Sequence, residues 1–300
     1  RFCFGLETAP FDIYTMWGLG WVLTLFYSPF AFITISRAME KMDPTLEEAA
    51  RISGAGPLRT LFDVTLPLTA PSILAGGLLV FIAAGSCFGI PAIVGMPGNI
   101  EVMTTRIVTF VYMGDDKGIR DATALAVSLM VVANALLFGM SWLLGRKDYT
   151  TISGKSTRPN IVELGKWTWL AELFVGGYAF ISVILPLGSV VMTSFLKSMS
   201  RAPGWDNFGF DAWIPVITSS QYMESIWLSF VYGIVAACIG TLLAIFVAYL
   251  AVKTNVTGRS LPDLLVVLGG STPSIVIALA LIITFSGNYG LNLYSTMWIL

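Results

Sequence analysis

Gly154-Lys155-Ser156-Thr157 is the stretch that most suggests chemistry, because it has the lettering of the closing part of a phosphate-binding loop. Such a loop wraps a phosphate with backbone N–H groups only if a glycine stands seven positions before the serine and a strand leads into it. Tyr149 stands there and no strand pattern precedes it, so the wrap is not built. If ATP is involved, another chain supplies its site. Histidine is absent, which removes the usual zinc ligand and the commonest general base. Cys3, Cys87 and Cys238 lie far apart with no CxxC pair, a pattern of structural thiols rather than a disulfide framework. The net charge of −1 argues against a nucleic-acid partner. The chain reads as a non-enzyme with no catalytic residue, metal site or cofactor of its own.

The organised polar feature is DPTLEEAARISGAGPLRTLFDVTLPL, residues 43–68. Asp43 before Pro44 predicts a helix start, a carboxylate cap followed by proline where no amide hydrogen is required. Glu47 and Glu48 lie near the positive end of that helix. Leu46, Ala49, Ala50 and Ser53 recur at helical spacing and predict a narrow face of small and apolar groups, with Glu47, Glu48 and Arg51 pointing elsewhere. Gly54 is placed to stop the helix. Pro57 then opens a second short helix carrying Leu58, Leu61 and Phe62, and Pro67 is expected to end it at the membrane boundary. Two short helices joined by a glycine turn suit docking to a partner or rest on lipid headgroups. Composition leaves both open.

The surrounding elements are oily. Of the 300 residues, 56% are hydrophobic and 12% charged, against roughly 25% charged in soluble domains. Mean hydropathy is +0.79. Six uncharged runs, at 13–36, 68–93, 122–144, 173–195, 226–252 and 264–285, are long enough to cross about 30 Å of hydrocarbon as helices. The chain is therefore read as an all-α polytopic membrane protein. Segments 37–67, 145–172 and 253–263 hold eleven Lys and Arg residues and the opposite set holds six, which puts the first set, and residues 43–68 with it, in the cytoplasm. Residues 145–172, polar and basic, read as a cytoplasmic linker between three spans and three more.

Glu48-Ala49-Ala50, three positions, Gly54, nine positions, then Val64-Thr65-Leu66-Pro67 resembles the EAA motif of the permease subunits of bacterial binding-protein-dependent ABC importers. The one departure is Val64 where that signature has isoleucine. The resemblance implies a type I ABC importer permease-like helical bundle in the bacterial cell inner membrane, here a fragment with six complete spans. It implies that Glu47, Glu48, Ala49, Ala50, Gly54, Leu66 and Pro67 form an ATPase-coupling segment, which docks on a cytoplasmic ATP-binding subunit. A periplasmic solute-binding protein and the lipid bilayer are the other partners it implies.

The order of spans resembles the fused two-core iron(III)-type permeases and their aminoethylphosphonate, thiamine and polyamine relatives. Residues 1–144 are then the closing part of a first core, 145–172 a cytoplasmic linker, and 173–300 the opening of a second. Thr15-Met16-Trp17 and Thr296-Met297-Trp298 open matching runs, so a second EAA segment is expected near 329, past the last residue. With Arg1 at one end and an apolar run beginning at Trp298-Ile299-Leu300 at the other, both ends read as cut.

None of the six runs contains Asp, Glu, Lys or Arg. Ion-coupled carriers place such groups at mid-membrane, so their absence weighs against a secondary carrier or channel, which stays the alternative beside a non-transporting scaffold. Two interruptions are candidates for a solute path: Ser86 and Pro91 near one span's outer end, and Ser271, Thr272, Pro273 and Ser274 inside another. Helix packing by small residues and an ordinary proline kink is the simpler reading of any single one of them. The loops 95–121 and 196–224 are expected outside, where they can meet a binding protein. Trp205, Phe208, Phe210 and Trp213 resemble an interfacial aromatic belt. The solute is left open between iron(III), aminoethylphosphonate and other small solutes.

Overall fold

The computed structural model describes residues 12–145, 164–201, 204–255, 269 and 272–286. Five long apolar helices dominate them: α1 (Met16–Glu40), α3 (Pro57–Gly85), α5 (Asp116–Gly145), α6 (Gly165–Ser194) and α8 (Ser220–Lys253). Shorter ones lie between: α2 (Pro44–Ile52), α4 (Met103–Met113), α7 (Trp213–Thr218) and α9 (Ser274–Phe285). At 1.5 Å per residue even α1 reaches about 37 Å, enough for the hydrocarbon core. The chain is a helical polytopic membrane protein, as expected from its sequence. Five expected spans correspond to long helices. Of the sixth, 264–285, most of the first half lies outside the described residues, and the 12-residue α9 is its described part.

α1 and α3 lie antiparallel against each other. They come close at Gly76: a Cβ there would stand 3.3 Å from the Ala31 Cα and 3.4 Å from its carbonyl oxygen. Beyond the end of α3, Gly95 sits beside Leu19 in the first turn of α1. Because the obstruction at Gly76 is backbone, Gly76→Leu is expected to push the two helices apart at a cost of about 1–3 kcal/mol. Gly77→Leu, whose Cβ meets nothing within 4 Å, serves as the control. Thermal unfolding in detergent checks both.

Proline does not end the helix at residue 67, contrary to the sequence expectation. α3 runs from Pro57 through Pro67 and Pro71 to Gly85. The reason is a π-turn over Leu61–Thr65, in which the Leu66 N–H returns to the Leu61 carbonyl. Pro67 has no N–H to give, and widening the preceding turn lets the ring follow without breaking the helix. A second π-turn, Phe180–Ile184, precedes Leu185-Pro186 in α6 by the same arrangement.

The expected external loop 95–121 is largely helix, and it is packed rather than free. α4 folds back on α5 through Gly114, whose φ is +70°, and the Asp115 carboxylate caps the Gly118 N–H at 2.8 Å. Ala122, Ala126, Leu129 and Ala133 form a buried stripe along α5 at helical spacing. Ile107 from α4 and Val276 and Leu279 from α9 close on its first part. Ile107 and Thr105 are 0% exposed, and the Thr104 hydroxyl bonds the Cys87 carbonyl at 2.8 Å. α4 thus belongs to the core through its Thr104, Thr105 and Ile107 side.

α6 and α8 bury none of their residues inside the chain, so their apolar sides face outward. The hydroxyls of Ser28 in α1 and Tyr178 in α6 pair. After α6, Asn207 pins the connecting turn: its amide donates to the Ser198 carbonyl at 2.9 Å and its oxygen accepts from the Ser198 N–H at 3.1 Å. Two of the aromatic residues expected in an interfacial belt pack on Phe195 there while remaining exposed. Phe210 meets Phe195 edge-on at 5.4 Å and Trp213 stacks on it at 5.8 Å, whereas Trp205 stands 95% exposed.

Candidate coupling segment

The segment 43–67 is built as its local chemistry dictates. The Asp43 carboxylate accepts from the Thr45 N–H at 3.0 Å and from the Thr45 hydroxyl at 2.8 Å, and Pro44 takes the first helical position. These two donors hold the Asp43 carboxyl below its ordinary 3.8. A carboxylate lowered in the folded state contributes stability above 3.8 and loses it as pH falls through the lowered value. Acidification below that range is therefore expected to fray the start of α2, visible as faster amide exchange at Thr45; Asp43→Asn should abolish that pH dependence.

At the other end Gly54 takes φ +88°. The Gly54 N–H returns to the Arg51 carbonyl at 2.9 Å and the Ala55 N–H to the Ala50 carbonyl at 3.0 Å, so two carbonyls at the helix end are satisfied in one left-handed turn. Gly56 and Pro57 then start α3. α2 is a nine-residue knob with both ends fixed.

Which side it presents differs from the expectation in one respect. Leu46, Glu48, Ala49, Arg51, Ile52, Ser53 and Gly54 are exposed, and Ala50 is half-buried. Glu47 does not point outward: it is 9% exposed and its carboxylate accepts from the Thr65 hydroxyl at 2.6 Å. Thr65 receives it, between the buried Thr60 and Thr69, whose hydroxyls donate to the Gly56 and Thr65 carbonyls. The signal was present as three threonines at spacings of five and four on an apolar helix, a polar side in want of a partner. Leu66 is half-buried and Pro67 exposed. Arg59 and Asp63 pair across one turn at 3.1 Å, both well exposed, and such a pair adds little.

The candidate path residues are scattered over two places. Ser86 is half-buried at the end of α3, and Pro91 is wholly buried at the start of a π-turn, Pro91–Gly95, that packs on α1. Thr272 is half-buried, Pro273 wholly buried, and Ser274 exposed at the first turn of α9; Ser271 lies outside the described residues. Among the described residues no group of three or more His, Cys, Asp or Glu converges to hold a metal ion.

Comparison with known proteins agrees with this architecture. Residues 9–147 match the family of binding-protein-dependent transport system inner membrane components. The ferric transport system permease protein FbpB of Actinobacillus pleuropneumoniae is 23% identical over 287 residues, covering 91% of this chain and 39% of that protein. The molybdenum transport system permease protein ModB of Escherichia coli K12 is 32% identical over 108 residues, 35% of this chain and 47% of that one. The spermidine/putrescine transport system permease protein PotB of the same strain is 33% identical over 112 residues, 36% of this chain and 38% of that one. The chain thus spans less than half the length of each of these relatives. No solved structure matches.

Proposed function

Starting from the match of residues 9–147 to the inner-membrane component family of binding-protein-dependent transport systems, we propose that this chain belongs to that family and forms the solute path of an ATP-driven importer. ATP hydrolysis takes place on a separate cytoplasmic subunit, and α2 is the piece that subunit grips. The observation that carries this is α2 itself: a short helix capped at both ends, held to the start of α3 by Glu47, with Leu46, Ala49 and Ile52 exposed. A rigid knob transmits displacement, whereas a floppy loop absorbs it.

Residues 1–144 are read as the closing part of one permease core and 173–300 as the opening of a second, joined by the linker 145–172. α9, from the second part, packs on α5 of the first, an arrangement that suits two halves lining one path. Ser86 and Pro91 from one half, with Ser271, Thr272, Pro273 and Ser274 from the other, remain the proposed path residues. A periplasmic solute-binding protein delivers the solute at the outer face. Iron(III) is the proposed solute, supported by the ferric permeases that align along nine-tenths of the chain, where the molybdenum and polyamine permeases align along about a third.

The test is uptake of radiolabelled iron(III) into proteoliposomes holding the full-length permease, its ATPase and its binding protein. Uptake that requires ATP hydrolysis and persists with the ion gradients collapsed supports the reading. Uptake that follows a proton or sodium gradient without ATP makes the protein a secondary carrier.

A further inference from the structure

Glu47 is the one acidic or basic side chain buried among the described residues. Removing a carboxylate from water is costly, and it persists where a specific bond and a structural need hold it there. The bond is the 2.6 Å contact from the Thr65 hydroxyl, eighteen residues along the chain. Thr65 closes the π-turn Leu61–Thr65, and its own carbonyl accepts the Thr69 hydroxyl at 2.7 Å. One chain of hydrogen bonds therefore runs from α2 across the π-turn into the body of α3. The covalent connection between the two helices is Ser53-Gly54-Ala55-Gly56, two glycines in four residues, and such a connection is soft by itself.

We propose that Glu47 is a positioning residue that, through Thr65, fixes the angle between α2 and α3, so that a push on α2 reaches the span instead of being absorbed at Gly54. This rests on the coupling role proposed for α2. Glu48, one position on, is exposed and stays available to the partner, so the two neighbouring glutamates divide the work: Glu47 inward, Glu48 outward.

The test uses the full-length protein with its ATPase in nanodiscs, in a background where Cys3, Cys87 and Cys238 are replaced by serine. Spin labels at Arg51→Cys and Leu74→Cys, both exposed positions, report the angle by pulsed electron resonance. One narrow distance is expected. Glu47→Ala and Thr65→Val should each lose it, the double variant should spread no further than either alone, and Thr65→Ser should restore it. Glu47→Gln keeps an acceptor oxygen and no buried charge, and covers the case in which the alanine variant does not fold. It should keep the narrow distance with Thr65 present and lose it with Thr65→Val. A narrow distance in Glu47→Ala, or additive spreading in the double variant, overturns the lock. A wild type that carries no ATPase, whatever its distance, overturns the coupling role on which the lock depends.

Discussion

Gly54→Val is expected to leave the permease inserted and folded but to strip it of its ATPase on purification. At φ +88° a residue with a Cβ is strained, and a β-branched one most of all, at a cost of about 1–3 kcal/mol. The space around Gly54 is open, and a Cβ there would meet nothing within 4 Å, so the strain is purely of the backbone. The turn relieves it by leaving the left-handed region. That releases the bonds from Gly54 to Arg51 and from Ala55 to Ala50, and α2 loses its fixed end. Gly54→Asn, which tolerates the left-handed region, should retain most of the ATPase. Equal loss in both variants would assign Gly54 to direct contact instead of to the turn.

The second large effect is expected on the opposite side of the chain. Ile107 is 0% exposed among Ala122, Ala126, Leu129, Val276 and Leu279. Removing most of its side chain leaves a cavity that small alanine neighbours cannot fill, so Ile107→Ala should destabilise by about 2–5 kcal/mol. Ile93, 74% exposed, is the control: Ile93→Ala should stay within about 0.5 kcal/mol. Thermal unfolding in detergent separates the two. Equal melting temperatures would mean that α4 is not part of the core.

What the sequence made legible was local. Asp43-Pro44 and Gly54 announce the ends of α2 because capping and left-handed turns are decided within a few residues, and the structure has both ends where these residues put them. The uncharged runs were readable because a helix in hydrocarbon must be apolar along its length. The misses needed partners. Glu47 was expected among the ATPase-coupling residues, and its bond to Thr65 is visible only once α2 lies against α3. Pro67 reads as a stop because proline removes an N–H, and only the π-turn before it shows how the helix continues. Residues 95–121 looked like an outer loop since Thr104, Thr105, Arg106 and Asp115 dilute their hydropathy. Yet the threonines are buried, Arg106 pairs with Glu101 and lies over the Phe110 ring at 5.0 Å, and Asp115 caps a turn. Each of these polar groups has a partner within the chain, which no window average detects.

The central claim is that the exposed side of α2 is the grip of an ATPase, and photo-cross-linking from Ala49 of the full-length protein in native membranes tests it most directly. The account predicts an adduct between Ala49 and an ATP-binding subunit, weakened when nucleotide changes that subunit's conformation, and none from Trp205. An Ala49 adduct with lipid alone would contradict it and return α2 to a helix resting on headgroups.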